Sequence, residues 1–162
     1  MTGIPALMSL TPEEFAAVDP ARRAISHEHA RRHAMLHLGG VAGTYALSWR
    51  SDLVEPVLAL DPPGEQVWMA VDQRVACIDL RSGEIGLRLA LSSNALDIKF
   101  AGSCAAVLTE TAVLLFNSTL TIRAVVGVPD LPESMTSGER VLTIRLQGGE
   151  TRILEIDSGQ LR

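Results

Sequence analysis

The sequence has few aromatic residues, only two cysteines and no long apolar run. Aromatic residues make up 4% of the 162 residues, so a large core must be built mainly from Leu, Val, Ile and Ala. Cys77 and Cys104 each lie in an apolar stretch, which is typical of buried thiols rather than of a disulfide framework. Runs such as 112–116 are too short to cross a membrane, and the N-terminus does not resemble a signal peptide. We therefore expect a cytoplasmic protein that does not bind membranes.

Motifs for catalysis, nucleotide binding and cofactors are also missing. There is no G-x-S-x-G, Walker-type loop or dinucleotide fingerprint. The carboxylates are scattered, and their spacing does not select a catalytic pair. The formal net charge of −5 disfavours a general nucleic-acid role. The sequence thus predicts a protein that is not an enzyme, holds no cofactor and binds no nucleic acid.

The N-terminal part carries two helix-start signals. In the first, Thr11 is a cap, Pro12 fits the first helical position and Glu14 completes a capping box, which predicts a short helix to about Val18. Asp19-Pro20 repeats the signal and predicts a second helix over 20–38, ended by two glycines at 39–40. We assign residues 1–40 to an N-terminal helical segment that lies on the surface of the remaining domain.

All four histidines fall in the second predicted helix. His29, His33 and His37 are spaced at i, i+4 and i+8, so they would share one helical face. Neutral imidazoles one turn apart can share a Zn²⁺ ion, which makes them weak candidates for a metal site. The alternatives are a solvated polar stripe or a pH-sensitive surface, and neighbouring arginines argue against a bound cation. We predict no metal site on balance.

From about residue 44 the sequence reads as consecutive strands. Short runs of Val, Leu and Ile alternate with turns rich in Gly, Ser, Asn and Asp. Strands are predicted at 66–71, 75–80 and 85–91, joined by hairpin turns at 72–74 and 81–84. Residues 41–162 are therefore assigned to one β domain.

The strand pattern repeats. Gly64, Gly102 and Gly138 each precede a similar apolar strand, a polar turn and a second apolar strand, at spacings of 38 and then 36 residues. Residues 50–60 echo 81–91 and predict the outer half of an earlier, truncated unit. A period of about 40 residues with about four short strands per unit is typical of propeller blades. The predicted fold is mostly β, with stacked antiparallel four-stranded meanders and a short α-helical N-terminal segment.

The segment from Cys77 to Glu84 resembles the strand-turn-strand segment of quinoprotein-like and related β-propeller repeats. An apolar-Asp-apolar strand there ends in a Ser-Gly-Glu turn, and residues 154–160 form a looser copy. The middle unit departs, with no glycine after Phe116, and the tryptophan that usually follows the turn is absent. The resemblance covers about residues 44–162 and implies a partial propeller of two to three blades.

A closed propeller has about four to eight blades, so this chain could not close a ring alone. An open stack would leave an apolar sheet face or an unpaired edge exposed, which favours association. The expected partner is another protein or a second copy of the chain. We interpret the chain as a non-catalytic protein-interaction module; the alternatives are a self-assembling structural protein or a metal-binding protein.

Two regions are candidate protein contacts. Trp49 and Arg50 form the first, because an exposed tryptophan is favoured at binding hot spots, although Trp49 could instead pack beneath the N-terminal helix. Pro129, Asp130 and Leu131 form the second, within the longest loop-like stretch at 128–138. That stretch could instead replace an inner strand.

Overall fold

The computed structural model describes residues 5–162. Helix α1 (Pro12–Ala16) begins as the sequence predicts: Thr11 accepts a hydrogen bond from the Glu14 amide, and the Glu14 side chain bonds back to the Thr11 amide. Pro12 occupies the first turn, where its missing N–H costs nothing. Phe15 is the buried residue of this helix. The short N-terminal helix is therefore confirmed.

The second predicted helix, over 20–38, is wrong. Asp19 caps only a single 3-10 turn (Pro20–Arg22), which leads into strand β2 (Arg23–Ile25). Most of the remaining segment is strand β3 (Arg32–Gly39). The glycines at 39–40 have positive φ and turn the chain between two strands, so they end a strand rather than a helix. Pairing with neighbouring strands here outweighs helix propensity.

The first sheet consists of β1 (Leu7–Ser9), β2, β3 and β4 (Gly43–Trp49) in the order β1-β3-β4-β2. Strands β3 and β4 form an antiparallel hairpin in which Leu36 lies opposite Tyr45. Strand β2 runs parallel to β4 at the sheet edge. Residues predicted as a helix thus supply two strands of a four-stranded sheet, whereas the end of the predicted truncated unit at 50–60 is a strand of the second sheet, β5 (Val57–Leu60).

The second sheet is an antiparallel meander with order β5-β6-β7-β8. Its strands are β5 (Val57–Leu60), β6 (Gln66–Val71), β7 (Arg74–Asp79) and β8 (Ile85–Ala90). The three strands predicted at 66–91 and their two turns are confirmed. Asp79 accepts hydrogen bonds from the amides of Arg81 and Ser82, and these bonds lower its pKa.

The first two sheets lie in one compact unit, Met1–Leu91, and share an aliphatic and aromatic core. Alternate residues of β3, β4 and β6 point into it, as the two-residue period of a strand requires. The largest fully buried members include Trp49, Tyr45, Leu36, Leu47 and Met69. Cys77 is also buried, and burial raises the pKa of its thiol, with Asp61 and Asp79 adding to the shift.

The second compact unit, Ser92–Arg162, contains two further antiparallel sheets with a core of their own. The third sheet comprises β9 (Ala95–Ala101), β10 (Cys104–Thr109), β11 (Ala112–Phe116) and β12 (Ile122–Gly127). The fourth comprises β13 (Pro132–Ser137), β14 (Val141–Leu146) and β15 (Thr151–Glu155). A bridge between Leu154 and Leu161 adds only the beginning of a further strand.

The predicted repeat frame is confirmed, but the number of units is not. Strands β6, β10 and β14 follow the three glycines that mark the repeat starts, and each is the second strand of its sheet in chain order. Residues 5–162 form four sheets rather than two to three blades. The predicted domain boundary at residue 40 falls in the turn between two paired strands, and the compact units divide after Leu91 instead.

The two sheets at the ends of the chain do not present the bare apolar face that we expected. Helix α1 packs on the non-core face of the first sheet, where the Phe15 ring lies 5.1 Å from the His33 ring. The non-core face of the fourth sheet is mostly polar, although Ile153 is exposed. Its polar members are Ser134, Thr136, Thr143, Arg145 and Thr151. Polar outer faces are typical of terminal units in repeat proteins.

No helix among residues 5–162 is long and apolar enough to span a membrane.

Candidate functional site

The first predicted contact, Trp49 and Arg50, divides between core and surface. Trp49 is 2% exposed; its indole N–H donates to the Val54 carbonyl at 3.1 Å, and the Arg32 guanidinium lies 4.9 Å from the ring centre. Its ring is part of the core and is not available as a contact surface. Arg50 is exposed, and its backbone amide donates to Asp72.

The second predicted contact, Pro129, Asp130 and Leu131, is exposed. These residues precede β13, so most of the stretch predicted as a loop at 128–138 is the first strand of the fourth sheet. They belong to the C-terminal unit, whereas Arg50 belongs to the N-terminal unit. As partner contacts, Arg50 and residues 129–131 remain predictions.

The histidines do not form the helical row that made them weak candidates for a metal site. His33 and His37 lie on β3, and His29 lies in the preceding turn with φ of 57°. Four residues along a strand separate two Cα atoms by roughly 13 Å, too far to share one ion. Within residues 5–162, no group of three or more His, Cys, Asp or Glu side chains is placed to hold a metal.

His27 is the buried histidine. Its Nδ1 lies 2.6 Å from the Ser48 carbonyl oxygen, which requires a proton on Nδ1, and its backbone amide donates to the Ser48 hydroxyl. Nε2 is buried and has no hydrogen-bond partner among the described residues. Burial lowers the pKa of His27, and the Ser48 hydrogen bond and the charge of Asp72 offset this only in part.

This site predicts lower stability in mild acid. Because the pKa of His27 is lower in the folded than in the unfolded chain, the unfolded state binds a proton first as pH falls through about 6.5. The folded state therefore loses stability as the pH falls from that value towards the pKa that His27 has in the folded chain. We expect the urea midpoint to fall between pH 7.5 and pH 5.5, and to fall less in His27→Asn, whose amide can still donate to Ser48. The exposed His37→Gln variant is the control and should behave like the unsubstituted chain. Equal pH dependence of the urea midpoint in the unsubstituted chain, His27→Asn and His37→Gln would contradict the role of His27.

A groove in the N-terminal unit combines several basic side chains with some apolar surface. It has a volume of about 380 Å³ and lies between β2, an edge strand of the first sheet, and strands β7 and β8. Pro20 and Ala90 are exposed there and supply apolar surface. The basic members are Arg23, Arg74 and Arg88. We call this site the arginine groove.

Each arginine of the groove is held by carbonyl oxygens. Arg23 donates through Nη2 to the carbonyls of Ala16 and Val18, at 2.9 and 2.8 Å, and its guanidinium lies 5.3 Å from the Phe15 ring centre. Arg74 donates to the Gln73 carbonyl at 3.2 Å. These contacts orient the guanidinium groups without neutralising their charge.

Arg88 is the most solvent-accessible of the three. It is exposed, and its Nη2 lies 3.5 and 3.4 Å from the carbonyl oxygens of Pro20 and Ala21. These distances are at the limit for hydrogen bonds. Its donors therefore remain available to a better acceptor.

The groove concentrates arginines that lack a carboxylate partner. Elsewhere in the same unit Arg31 pairs with Asp52, Arg32 with Glu55 and Arg81 with Glu65, whereas Arg22 donates to the Ala42 carbonyl. Among residues 5–162, no carboxylate lines the groove or pairs with its three arginines. An uncompensated basic site in a chain of net charge −5 favours an anionic ligand.

Sequence reasoning missed all three groove residues. Arg88 has a local signal, since it occupies an exposed position in the alternating strand β8. Arg23 has none, because its place in the groove depends on β2 pairing with β4, whereas the local sequence favours a helix.

No protein-family model matches the chain. No curated protein matches it either.

Solved structures with a similar backbone do exist. The computationally designed Ika4 protein aligns at a TM-score of 0.59 and 14% identity, over 69% of this chain and 72% of that one. Kuenenia stuttgartiensis hydrazine synthase aligns at a TM-score of 0.61 and 15% identity, over 80% of this chain and 41% of that one. The N-terminal domain of Nup159 aligns at a TM-score of 0.55 and 13% identity, over 65% of this chain and 32% of that one.

These proteins differ in role, and this chain spans less than half the length of the two natural chains. Identities this low indicate fold and not function. The four sheets and these similarities together identify the fold as propeller-like, which supports the resemblance seen in the repeats.

Proposed function

We propose that the chain is a non-catalytic protein-interaction module whose contact surface includes the arginine groove. The observation that carries this proposal is the groove itself, where three arginines line a partly apolar cavity and donate their hydrogen bonds to carbonyl oxygens rather than to carboxylates. Interfaces commonly combine an apolar centre with arginine, which is enriched there relative to other surfaces. Arg50 and residues 129–131 are further candidate contacts.

The propeller-like fold is compatible with this role. A rigid stack of sheets holds turns and edges in fixed positions, and binding residues are often carried in this way. Nup159 provides an example of a structural neighbour with protein partners, since it is recorded in a complex with Dbp5 and Gle1. The cytoplasmic location stays a prediction.

Site-specific photo-crosslinking tests the proposal. A photoreactive amino acid replaces Ser26, which is exposed at the groove, and a matched chain carries it at Thr151, exposed in the fourth sheet. In extracts of the source cells we expect one defined adduct from position 26, and excess chain without the photoreactive amino acid should suppress it. Position 151 should give no adduct of that mass. The partner, identified by mass spectrometry and purified, should bind in a fixed ratio. Absence of a specific adduct at position 26 would contradict the proposal.

Light scattering after gel filtration separates this proposal from self-assembly. The mostly polar face of the fourth sheet and the helix on the first remove the reason for expecting association through these faces. We expect a mass near 17.4 kDa, that of one chain. A strict dimer or trimer would instead favour a structural protein that assembles from copies of itself.

A further inference from the structure

We infer that Arg74 and Arg88 of the arginine groove bind one phosphoryl group, carried by a phosphorylated side chain of the partner protein. This inference rests on the proposed interaction function and specifies the chemistry by which the partner is recognised. Three observations carry it: the two arginines share one face of their sheet, most of their hydrogen-bond donors are unused, and no carboxylate lines the groove among residues 5–162.

The strand register places the two arginines side by side. In the ladder between β7 and β8, Arg74 lies opposite Ala90 and Arg88 lies opposite Ala76. Two residues that are diagonal in this way point to the same face, about 7–8 Å apart, a separation that long side chains can bridge. Both guanidinium groups can therefore be directed onto one anion.

Most hydrogen-bond donors of the pair are available. A guanidinium carries five N–H donors. Within the described part of the chain, Arg74 donates to the Gln73 carbonyl at 3.2 Å, and Arg88 meets two carbonyl oxygens only at 3.4 and 3.5 Å. Bonds from arginine to an anionic oxygen are shorter and stronger than bonds to a neutral carbonyl. An anion would thus gain more than the contacts it displaces.

The charge of the pair is not balanced within the groove. Asp72 is two residues from Arg74, but its carboxylate accepts hydrogen bonds from the backbone amides of Arg50 and Ser51. Arg23 is already held by two carbonyl oxygens at 2.8 and 2.9 Å, so it adds positive charge rather than free donors. A cleft lined by charges of one sign attracts counter-ions. A dianion that bridges Arg74 and Arg88 would replace their mutual repulsion by attraction.

A phosphoryl group matches this pair better than a carboxylate does. It carries a charge of about −1.5 to −2 at neutral pH and three acceptor oxygens, so both arginines can bond to it at once. A carboxylate has one charge and two oxygens, which a single arginine can satisfy. The pair therefore selects the doubly charged group.

The groove favours a phosphoryl group attached to a protein over free phosphate. Arg88 is exposed, and solvent weakens the attraction between an exposed side chain and a small ion. Pro20 and Ala90 present exposed apolar surface in the same groove. The residues that flank a phosphorylated side chain can contact this surface, whereas a free anion cannot use it.

Fluorescence anisotropy with defined peptides tests this inference. The probe is a fluorescein-labelled peptide of Gly and Ala with one central phosphoserine. Two control peptides differ only at the centre, where they carry Glu or unmodified Ser. We expect the phosphopeptide to bind the full chain about tenfold more tightly than the Glu peptide, and the Ser peptide to bind most weakly.

Substitutions of arginine locate the binding. Arg74→Gln and Arg88→Gln should each weaken binding of the phosphopeptide by about tenfold, whereas Arg88→Lys, which keeps the charge but loses the paired donors, should lose less. Arg81→Gln removes an exposed arginine outside the groove and should change binding less than about twofold. In the unsubstituted chain, the phosphopeptide should shift the NMR signals of the Arg74 and Arg88 Nε–H groups, a result that does not depend on the folding of any variant.

Phosphatase treatment links the inference to the partner. Cell extract treated with phosphatase before photo-crosslinking should lose most of the adduct at position 26, and extract treated in the presence of a phosphatase inhibitor should retain it. An adduct that persists after dephosphorylation would defeat this inference and leave the proposed interaction function standing. If untreated extract gives no specific adduct at position 26, the proposed function itself fails.

Four other results would overturn the inference. The first two are equal binding of the phosphoserine and Glu peptides, and unchanged binding in both glutamine variants. The third is displacement of the phosphopeptide by equimolar inorganic phosphate, which would indicate a site for free anions. The fourth is tighter binding of a short single-stranded oligonucleotide than of the phosphopeptide, which would indicate a nucleic-acid ligand.

Discussion

Replacing Trp49 with alanine is expected to reduce the free energy of unfolding by about 3–5 kcal/mol. The indole is fully buried in the core shared by the first two sheets, donates to the Val54 carbonyl and lies beneath the Arg32 guanidinium. Truncation leaves a cavity, removes the shorter of two hydrogen bonds to the Val54 carbonyl and leaves the Arg32 cation unstacked. Urea unfolding followed by circular dichroism measures the change.

Leu53→Ala is the matched control, because Leu53 lies nearby in sequence and is 96% exposed. It should change the free energy of unfolding by no more than about 0.5 kcal/mol. The comparison also decides between the two interpretations of Trp49. A surface contact residue would leave stability unchanged when truncated and affect only binding, so a loss below about 1 kcal/mol in Trp49→Ala would contradict its place in the core.

Gly83→Ala is expected to have the second largest effect, a loss of about 3 kcal/mol or more. Gly83 has φ of 74°, and an added Cβ would lie 3.0 Å from the Val41 carbonyl oxygen and 3.2 Å from the Ala42 Cα. Both contacts are to backbone, which cannot rotate away. The Tyr45 hydroxyl also donates to the Gly83 carbonyl, which fixes the turn against β4.

Gly64→Ala separates conformational strain from crowding. Gly64 has φ of 75° in another turn of the same sheet, but an added Cβ would meet nothing within 4 Å. It should cost only about 1–2 kcal/mol, the penalty of the left-handed region for a residue with a side chain. Equal losses in the two variants, measured by thermal unfolding, would show that Val41 and Ala42 do not crowd position 83.

The repeats could be predicted from the sequence because their signals are local. Strands β6 and β7 are apolar runs separated by Asp72 and Gln73, and the next turn is closed by Asp79 and Gly83. Such hairpins are specified by adjacent residues, so their strands can be recognised without knowledge of the tertiary structure.

The first sheet could not be predicted, because its pairing depends on distant contacts. Residues 20–38 contain strong helix formers and an excellent cap in Asp19, yet β2 pairs with residues more than twenty positions away in β4. The alternation of His33, Met35 and His37 with buried Ala34 and Leu36 is a strand pattern. Helix propensity and the four-residue spacing of the histidines favoured a helix instead.

The groove was missed for the same reason. Arg88 is on a strand that the sequence predicts correctly and Arg74 begins another, one residue earlier than predicted, but the opposite wall is β2. A helical interpretation of 20–38 removes that wall, the strand edge and the adjacent Arg23. The candidate site therefore follows from the tertiary structure of the N-terminal unit rather than from any motif.

The first sheet is the feature on which the groove, the covering helix and the propeller-like fold all depend. Nuclear Overhauser effects in the isotopically labelled full chain test it directly. We predict long-range contacts between the strands, from Ala34 to Leu47 and from Leu36 to Tyr45, which are paired in the hairpin. Medium-range contacts between residues three and four positions apart throughout 20–38, without the cross-strand contacts, would show a helix there and contradict the account.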